Sequence, residues 1–539
     1  MKKQIILLML FALCLNTSKT FGQYTNDVSL NTRVSVLTDD VTGVTRTAIT
    51  QSGKTYIAYL DGYFTLKLQL LDENGNKVFD STGIILEETS TSWSAARTTD
   101  ILTGIEGEAI IAFWNWTNDS VKLFVVSPIG VIQDVLYCGA GFNPQLEMLP
   151  SGEFILAFSN SSGDSTTIKK LNYSSGMINT IYSRTVNYLC QDLKALPNGN
   201  FYIISYDYTY AGYALTYANC MGGNDGNLMW ANWVPCSSLS NSSLYTALVS
   251  CCTDNNKNLY VTNTYFNGMN RLAYAQRIDS LGTIMWGTNG TPLINNGVFN
   301  YQQRVFSMIN IPSGQLLCLI NGQNVNDGSP TFKVCYQKLA QNGTILIPPA
   351  GLELVPASAN AQLFGAGYCG DNIALTYISG INNNIYATQI NLEGVFQWSP
   401  NTLALNTTSN SKPWVDATLG AIINEQLIIS FNETRNGHSS VFAQKASCDG
   451  LLPTSINLRD ENLISVSIYP NPTTGKLIID CTIEHNPNLF VYNIMGKLML
   501  QKELIGTKNE IDLSYLPKGV YVVEVSGAEG AGYYKIIKE

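Results

Sequence analysis

The chain has 539 residues, 45% of them hydrophobic and 13% charged, with 31 Lys+Arg against 40 Asp+Glu. Apolar content this high with so little charge excludes disorder over most of the length, and the acidic balance repels phosphate backbones, so no nucleic-acid partner is expected. Two histidines in all, His438 and His485, exclude a histidine-rich metal site.

The first element reads as an export signal. Met1-Lys2-Lys3 is basic, residues 5–15 are apolar and residues 16–23 mostly polar, which places cleavage after Gly22 and makes residues 1–22 a signal peptide. The apolar run holds 11 residues, against about 20 for a membrane-spanning helix, and no later stretch qualifies as a transmembrane helix. The expected location is secreted or on the outer cell surface. Eleven of the twelve cysteines lie beyond the signal. Cys220 with Cys236 and Cys318 with Cys335 are candidate bridges between neighbouring strands, and Cys251-Cys252 a candidate vicinal ring. The other reading makes most of them small buried apolar side chains.

Residues 24–452 repeat one short pattern: a turn, a β-branched and aromatic strand, a polar loop, a second strand and a glycine turn. The first turn appears as Gln51-Ser52-Gly53, Pro150-Ser151-Gly152, Pro197-Asn198-Gly199 and Pro312-Ser313-Gly314, among others. The second-turn glycines are Gly75, Gly130, Gly176, Gly226, Gly282, Gly343, Gly394 and Gly450, spaced 46 to 61 residues apart. The strands entering these turns resemble one another, as in Tyr274-Ala-Gln-Arg-Ile-Asp and Val334-Cys-Tyr-Gln-Lys-Leu. A period near 50 with four short strands and no helical periodicity predicts an all-β, eight-bladed β-propeller; a seven-bladed ring or two stacked sandwiches are the alternatives. Such sheets cannot bury both faces alone and become stable by packing on one another. Trp230, Trp286 and Trp398, each four residues after a turn glycine, are suited to wedge between sheets. The eighth unit stops soon after Gly450, whereas the residues from Asp27 to Leu37 have no unit of their own and resemble Asn401-Thr-Leu-Ala-Leu-Asn, the outer strand of unit seven. Residues 28–37 are therefore predicted to complete the eighth sheet.

Beyond a linker at 453–462 the text changes. Tyr469-Pro470-Asn471-Pro472-Thr473-Thr474-Gly475 is followed by Met495-Gly496-Lys497, then by Pro517-Lys518-Gly519-Val520-Tyr521, and the chain closes with Lys535-Ile536-Ile537-Lys538-Glu539. Alternating apolar residues broken by Pro, Asn and Gly predict a small antiparallel β-sandwich. Residues 463–539 also closely resemble the type A C-terminal sorting domain of the type IX secretion system of Bacteroidetes. The resemblance implies recognition of Tyr469, Pro470, Asn471, Pro472, Gly475, Gly496, Lys497, Gly519, Tyr521, Lys535 and Lys538 by an outer-membrane translocon. It implies removal of the domain by a cell-surface sortase, and it is silent on the propeller.

The propeller offers little chemistry. Asp279-Ser-Leu-Gly282-Thr-Ile-Met-Trp286 departs from the sialidase turn Ser-x-Asp-x-Gly-x-x-Trp and is one residue short of the quinoprotein docking motif. His438 sits in a loop and His485 in the tail, so no Ser-His-Asp arrangement forms. No cofactor is expected, with calcium as the alternative: Asp72-x-Asn74-x-Asn76 and Asp254-x-Asn256-x-Asn258 alternate oxygen ligands. Both lie in hairpin turns, where Asp and Asn are favoured for backbone reasons. Loop aromatics Trp93, Trp114, Trp116, Tyr208 and Tyr210 are candidates for stacking on a glycan or protein ligand, packing between sheets being the other reading. The expectation is a non-catalytic binding module. The alternative is an exported enzyme with strand-end carboxylates in a central funnel, acting on carbohydrate or, as a quinoprotein, in oxidoreduction.

Overall fold

A computed structural model describes residues 24–36, 41–62, 65–88, 99–210, 213–239, 250–266, 271–294, 301–311, 313–324, 331–348, 350–380, 382–412, 415–417, 425–435, 437–453, 466–481, 487–493, 497–527 and 530–539. The chain divides into two compact units, residues 1–455 and 456–539. The predicted export signal lies outside the described residues. Among the described residues no helix is long and apolar enough to cross a membrane.

The first unit is all-β. Among its described residues are eight four-stranded sheets, each antiparallel throughout. The first strands of successive sheets are Val41–Ile49, Thr99–Thr103, Phe142–Met148, Leu189–Ala195, Cys251–Thr253, Tyr301–Asn310, Gln362–Cys369 and Val415–Ala417. Each lies beside the next, and Val415–Ala417 lies beside Val41–Ile49.

The central strands show why. Ala109–Asn115 reads as a continuous apolar run, without the polar alternation of a half-buried strand, because both faces are covered. Ala109, Ile111 and Phe113 join a cluster with Tyr56, Leu68 and Phe79 of the first sheet, whereas Ile110 and Ala112 join Leu146, Phe154 and Phe158 of the third. The same holds for every neighbouring pair, and Tyr24, Val34, Ile57 and Tyr59 share a cluster with Ile428 and Val441 of the eighth sheet. Each large side chain so buried is worth roughly 1.5–3 kcal/mol.

The turns lock neighbours together. The Trp230 ring lies against Gly282 of the next sheet's turn, and its Nε1 donates to Ser280 O at 3.1 Å. Trp286 repeats the arrangement on Gly343 and Gln341 O, and Trp398 on Gly450 and Cys448 O. At Gly282, with φ +91°, a Cβ would come within 2.9 Å of the indole, so the close approach requires glycine. Phe79 takes the same place on Gly130 and Tyr24 on Gly75. Buried Gln276, Gln337, Gln389 and Gln444 in the third strands give their Nε2 to loop carbonyls.

The N-terminal segment finishes the eighth sheet: Thr32 pairs with Ala443 and Arg33 with Phe442, and Val34 N donates to Val441 O. The paired strand, Thr32–Arg33, is shorter than residues 28–37. A buried ionic network holds it. Glu433 is fully buried and accepts from Arg435 Nε at 2.7 Å; Lys412, equally buried, stands 3.7 Å from its other oxygen. Arg435 also donates to Leu30 O and Asn31 Oδ1, and its guanidinium lies 3.9 Å from the Phe442 ring centre.

The cysteine pairings require correction. Cys369 is bonded to Cys448, joining turns of the seventh and eighth sheets, while Cys220, Cys236, Cys251, Cys252, Cys318 and Cys335 are free thiols. Cys318 sits opposite Gln337 and Cys335 opposite Ile320, a diagonal of about 7–8 Å. Cys236 donates its amide to Thr216 O, four residues along the strand from Cys220. Cys251 and Cys252 point to opposite faces, one packed toward the fourth sheet and one toward the sixth.

The second unit is a small antiparallel sandwich. Three strands, Val466–Tyr469, Lys476–Cys481 and Lys508–Asp512, form one sheet, and Leu498–Glu503, Asn488–Asn493, Gly519–Gly527 and Gly530–Lys538 the other. Leu477, Ile479, Val491, Ile511, Tyr521, Val523 and Ile536 fill the space between. The Asn471 side-chain amide takes the place of a neighbouring strand on the last one, its Oδ1 accepting from Ile537 N at 2.9 Å and its Nδ2 donating to Lys535 O at 2.7 Å. This covers an edge that would otherwise pair freely.

Candidate functional site

In an up-and-down four-stranded sheet the two glycine turns share one end, and the loops from second to third strand and from fourth to the next first strand share the other. Trp114 and Trp116 stand at the loop end of the second sheet, and Tyr208 and Tyr210 are two of the last three residues of Phe201–Tyr210, a strand that ends at the loop end of the fourth. Trp93 and the side chains of Tyr208 and Tyr210 lie outside the described residues. The rings of Trp114 and Trp116 are 4.9 Å apart and tilted by 57°, and Phe142 lies 5.6 Å behind Trp114. Trp114 Nε1 donates to Asp119 Oδ1 at 3.3 Å. Trp114 packs on the cluster between the second and third sheets, whereas Trp116 is 63% exposed. Packing thus accounts for the first indole and not the second.

A second aromatic group, which sequence reasoning missed, stands at the fourth sheet: Tyr188, Tyr217 and Trp233. They lie far apart in sequence and share no repeat position.

The first strands carry charged residues that reach toward the next sheet. Arg46 Nε donates to Thr99 O at 3.1 Å, Asp100 accepts from Leu146 N at 2.7 Å, and Glu147 from Ala195 N at 2.8 Å. Asp192 accepts from the Cys251 thiol. Burial pushes the Asp100 carboxyl up to about 6, against the opposing pull of the Leu146 amide and Arg46. Burial also pushes Asp192 up to about 6, against the thiol's hydrogen bond. Asp100 and Glu147 answer backbone amides of neighbouring first strands, whereas Arg46 answers a carbonyl and Asp192 a thiol. His438 is exposed at a hairpin, and His485 lies outside the described residues.

The Asp–Asn turns are self-contained. Asp72 Oδ1 accepts from the amides of Asn74 and Asn76, and Oδ2 from Asn76 Nδ2 at 2.8 Å. Asp254 makes the same bonds with Asn256 and Asn258, and Tyr260 adds a hydroxyl. Asp279 and Asn391 build the same turn without a cation-type spacing. Among the described residues no group of three or more His, Cys, Asp or Glu could hold a metal ion.

In the tail, Tyr469 is 40% exposed, with Lys508 Nζ 5.8 Å from its ring centre. Pro470 and Pro472 flank Asn471 in the turn that covers the last strand. Gly475 sits where a Cβ would meet Ser514 Oγ at 2.5 Å, and Tyr521 is buried, its hydroxyl donating to Pro517 O. Lys497 donates its amide to Asn493 Oδ1, and Gly519 opens the strand Gly519–Gly527. Lys535 is exposed and Lys538 buried, and Gly496 lies outside the described residues.

Residues 467–539 match the family model described as a secretion system C-terminal sorting domain. The tail is a type IX sorting domain. Such a domain implies interaction with the type IX secretion machinery and supports secretion or cell-surface export. No curated protein matches the chain. Among solved structures, the Dos1 propeller is similar over 80% of this chain and 96% of its own, with 9% identity and a TM-score of 0.44. A PL25 ulvan lyase, of a polysaccharide lyase family, is similar over 79% and 98%, with 12% identity and a TM-score of 0.45. Sqt1 of Saccharomyces cerevisiae is similar over 78% and 99%, with 10% identity and a TM-score of 0.45. Nothing about activity follows from likeness at this level.

Proposed function

We propose that the first unit is an eight-bladed β-propeller, exported by way of a signal peptide and the sorting tail, that binds an extracellular glycan without transforming it. A sortase removes the tail at the cell surface. The observation that carries this reading is Trp116, 63% exposed beside Trp114 on the loop end. A flat apolar ring with open edges suits the C–H face of a sugar, while hydroxyls are met by neighbouring polar groups. Calcium binding at the Asp72 and Asp254 turns remains a subsidiary proposal, tested by adding and chelating calcium.

The purified full chain, presented to soluble polysaccharides with and without calcium, should bind at least one saturably and release no product. Trp116→Ala should abolish that binding. Saturable binding of a protein alone would transfer the site to a protein ligand, and product release would overturn the non-catalytic reading. A second reading, an exported carbohydrate-active enzyme, is favoured by Asp100 and Asp192, both pushed up to about 6. Raised carboxyls are common at catalytic sites. Turnover lost in Asp100→Asn or Asp192→Asn, with the fold intact, would establish it.

A further inference from the structure

A single residue, Tyr188, connects the third sheet to the fourth, between strands Met177–Asn187 and Leu189–Ala195. Its φ is +76°, a left-handed backbone that a bulky side chain adopts at a cost and that glycine or asparagine adopts readily. The surroundings hold it there. Tyr188 N donates to Asp164 O at 3.2 Å, and Thr166 Oγ1 donates to Tyr188 O at 2.8 Å. The strain therefore sets the direction of one ring. That ring lies parallel to Tyr217, 4.9 Å away at 6°, and Trp233 meets it edge-on at 5.2 Å and 86°. All three are half-buried: Trp233 packs on the cluster between the third and fourth sheets, and the stacked phenols stand beside it as an open corner.

The polar groups beneath the corner define what it accepts. Ser205 lies directly across from Tyr217, and its buried hydroxyl has no hydrogen-bond partner. Asp207, two residues beyond Ser205 on the same strand, is buried, and its charge acts on the Tyr188 phenol. Burial first, and the Asp207 charge after it, raise the Tyr188 phenol above its ordinary value. Burial, then Tyr188 and Asp207, do the same for Tyr217. The phenols stay protonated donors, and the buried carboxylate disfavours an anionic ligand.

We propose that Tyr188, Tyr217 and Trp233 form a second binding subsite, for a neutral pyranose unit of a polysaccharide. The sugar stacks its C–H face on the rings and offers its hydroxyls to the phenols. The inference rests on the glycan-binding reading above and adds to it a place and a sugar class. It also explains why a strained residue stands in a connection where an unstrained one would fold more easily: observed strain of this kind clusters at ligand sites.

The test uses the full chain, and gels containing neutral glucan, mannan or xylan, or the anionic alginate. Tyr188→Gly and Tyr188→Asn both relieve the backbone. Each should keep the melting temperature within about two degrees of the parent, since strain relief offsets the lost ring contact, and weaken binding to a neutral polysaccharide about tenfold. Unchanged binding in both variants, with Trp116→Ala still abolishing it, would overturn this subsite and leave the proposed function standing. A melting temperature lowered by many degrees in both would make Tyr188 a packing residue, which also overturns it. Binding to alginate alone would refute the neutral-sugar assignment, and binding to none of the four would remove this inference and the glycan reading together.

Discussion

Trp286 and Trp116 stand at opposite ends of their sheets, and their surroundings differ completely. Trp286 is 8% exposed, its ring on Gly343 and its Nε1 on Gln341 O, whereas Trp116 is 63% exposed beside another indole. At the turn end one contact recurs: Tyr24, Phe79, Trp230, Trp286 and Trp398 each lie on a second-turn glycine of the neighbouring sheet, whereas Gly176 has nothing within 4 Å. At the loop end nothing recurs, and an aromatic there is covered only by accident of its neighbours. Repetition secures the fold at one end, and departure from repetition leaves surface for recognition at the other.

The largest expected effect would break this division if it were taken too literally. Glu433 lies near the loop end of the eighth sheet, yet it is fully buried against Lys412 and Arg435. Burial holds the Lys412 ammonium below its ordinary range, with Glu433 opposing that shift. Glu433→Ala leaves a buried ammonium without its carboxylate, which costs about 3–5 kcal/mol. Urea unfolding should show that loss. Lys412→Met together with Glu433→Leu should recover the part owed to the buried ammonium, while Arg435 keeps only Leu30 O and Asn31 Oδ1 as hydrogen-bond partners. A stable Glu433→Ala protein would mean that the N-terminal strand closes the circuit without the network.

The turn end is tested next, by two glycines with nearly the same backbone. Gly450, at φ +75°, would place a Cβ 2.8 Å from the Trp398 ring, whereas Gly176, at φ +79°, has nothing within 4 Å. Gly176→Ala should cost only the left-handed term, about 1–2 kcal/mol. Gly450→Ala adds crowding of about 1–3 kcal/mol in a packed site. Thermal unfolding of the pair isolates the wedge by difference. Equal losses would mean that tryptophan and glycine are neighbours without being coupled.

This contrast also shows what could be read from the amino-acid order. The turn glycines, the wedging tryptophans and the N-terminal strand were legible because each depends on local backbone chemistry or on likeness between units. The glutamines of the third strands were visible as a resemblance, but their bonds to loop carbonyls appear only in three dimensions. The Cys369–Cys448 bond, with a separation of 79 residues, depends on which turns adjacent sheets bring together. The candidate bridges failed because an offset across a ladder, two residues for Cys318 and Cys335 and four for Cys220 and Cys236, is invisible without the register. Tyr188 was missed for a related reason: a left-handed tyrosine breaks the usual preference for glycine and asparagine.

Between the two ends lie the first-strand acids, whose effect is smaller and depends on pH. Asp100 and Asp192 titrate near 6 in the native chain, against about 3.9 when unfolded. A native pKa above the unfolded one means that the contribution of these carboxyls is fully present below about 4 and is lost as pH rises through about 6. Asp100→Asn with Asp192→Asn should therefore compare more favourably with the parent at pH 7.5 than at pH 5. Melting temperatures at the two values check the sign. A difference independent of pH would show that neither carboxyl titrates in this window.

Replacing Trp116 by alanine should have the smallest effect on stability, and for that reason it separates the two ends most cleanly. An exposed side chain away from caps and cores changes stability by no more than about 0.5 kcal/mol, so unfolding of Trp116→Ala should overlay the parent. Trp286→Ala, at the buried counterpart, should cost about 3–5 kcal/mol. If polysaccharide binding follows the opposite order, lost in the first variant and kept in the second wherever the protein remains folded, then recognition and folding belong to opposite ends of the same sheets. Should Trp116→Ala destabilise as much as Trp286→Ala, the loop indole is part of the packing, and the binding surface must be sought elsewhere on the loop end.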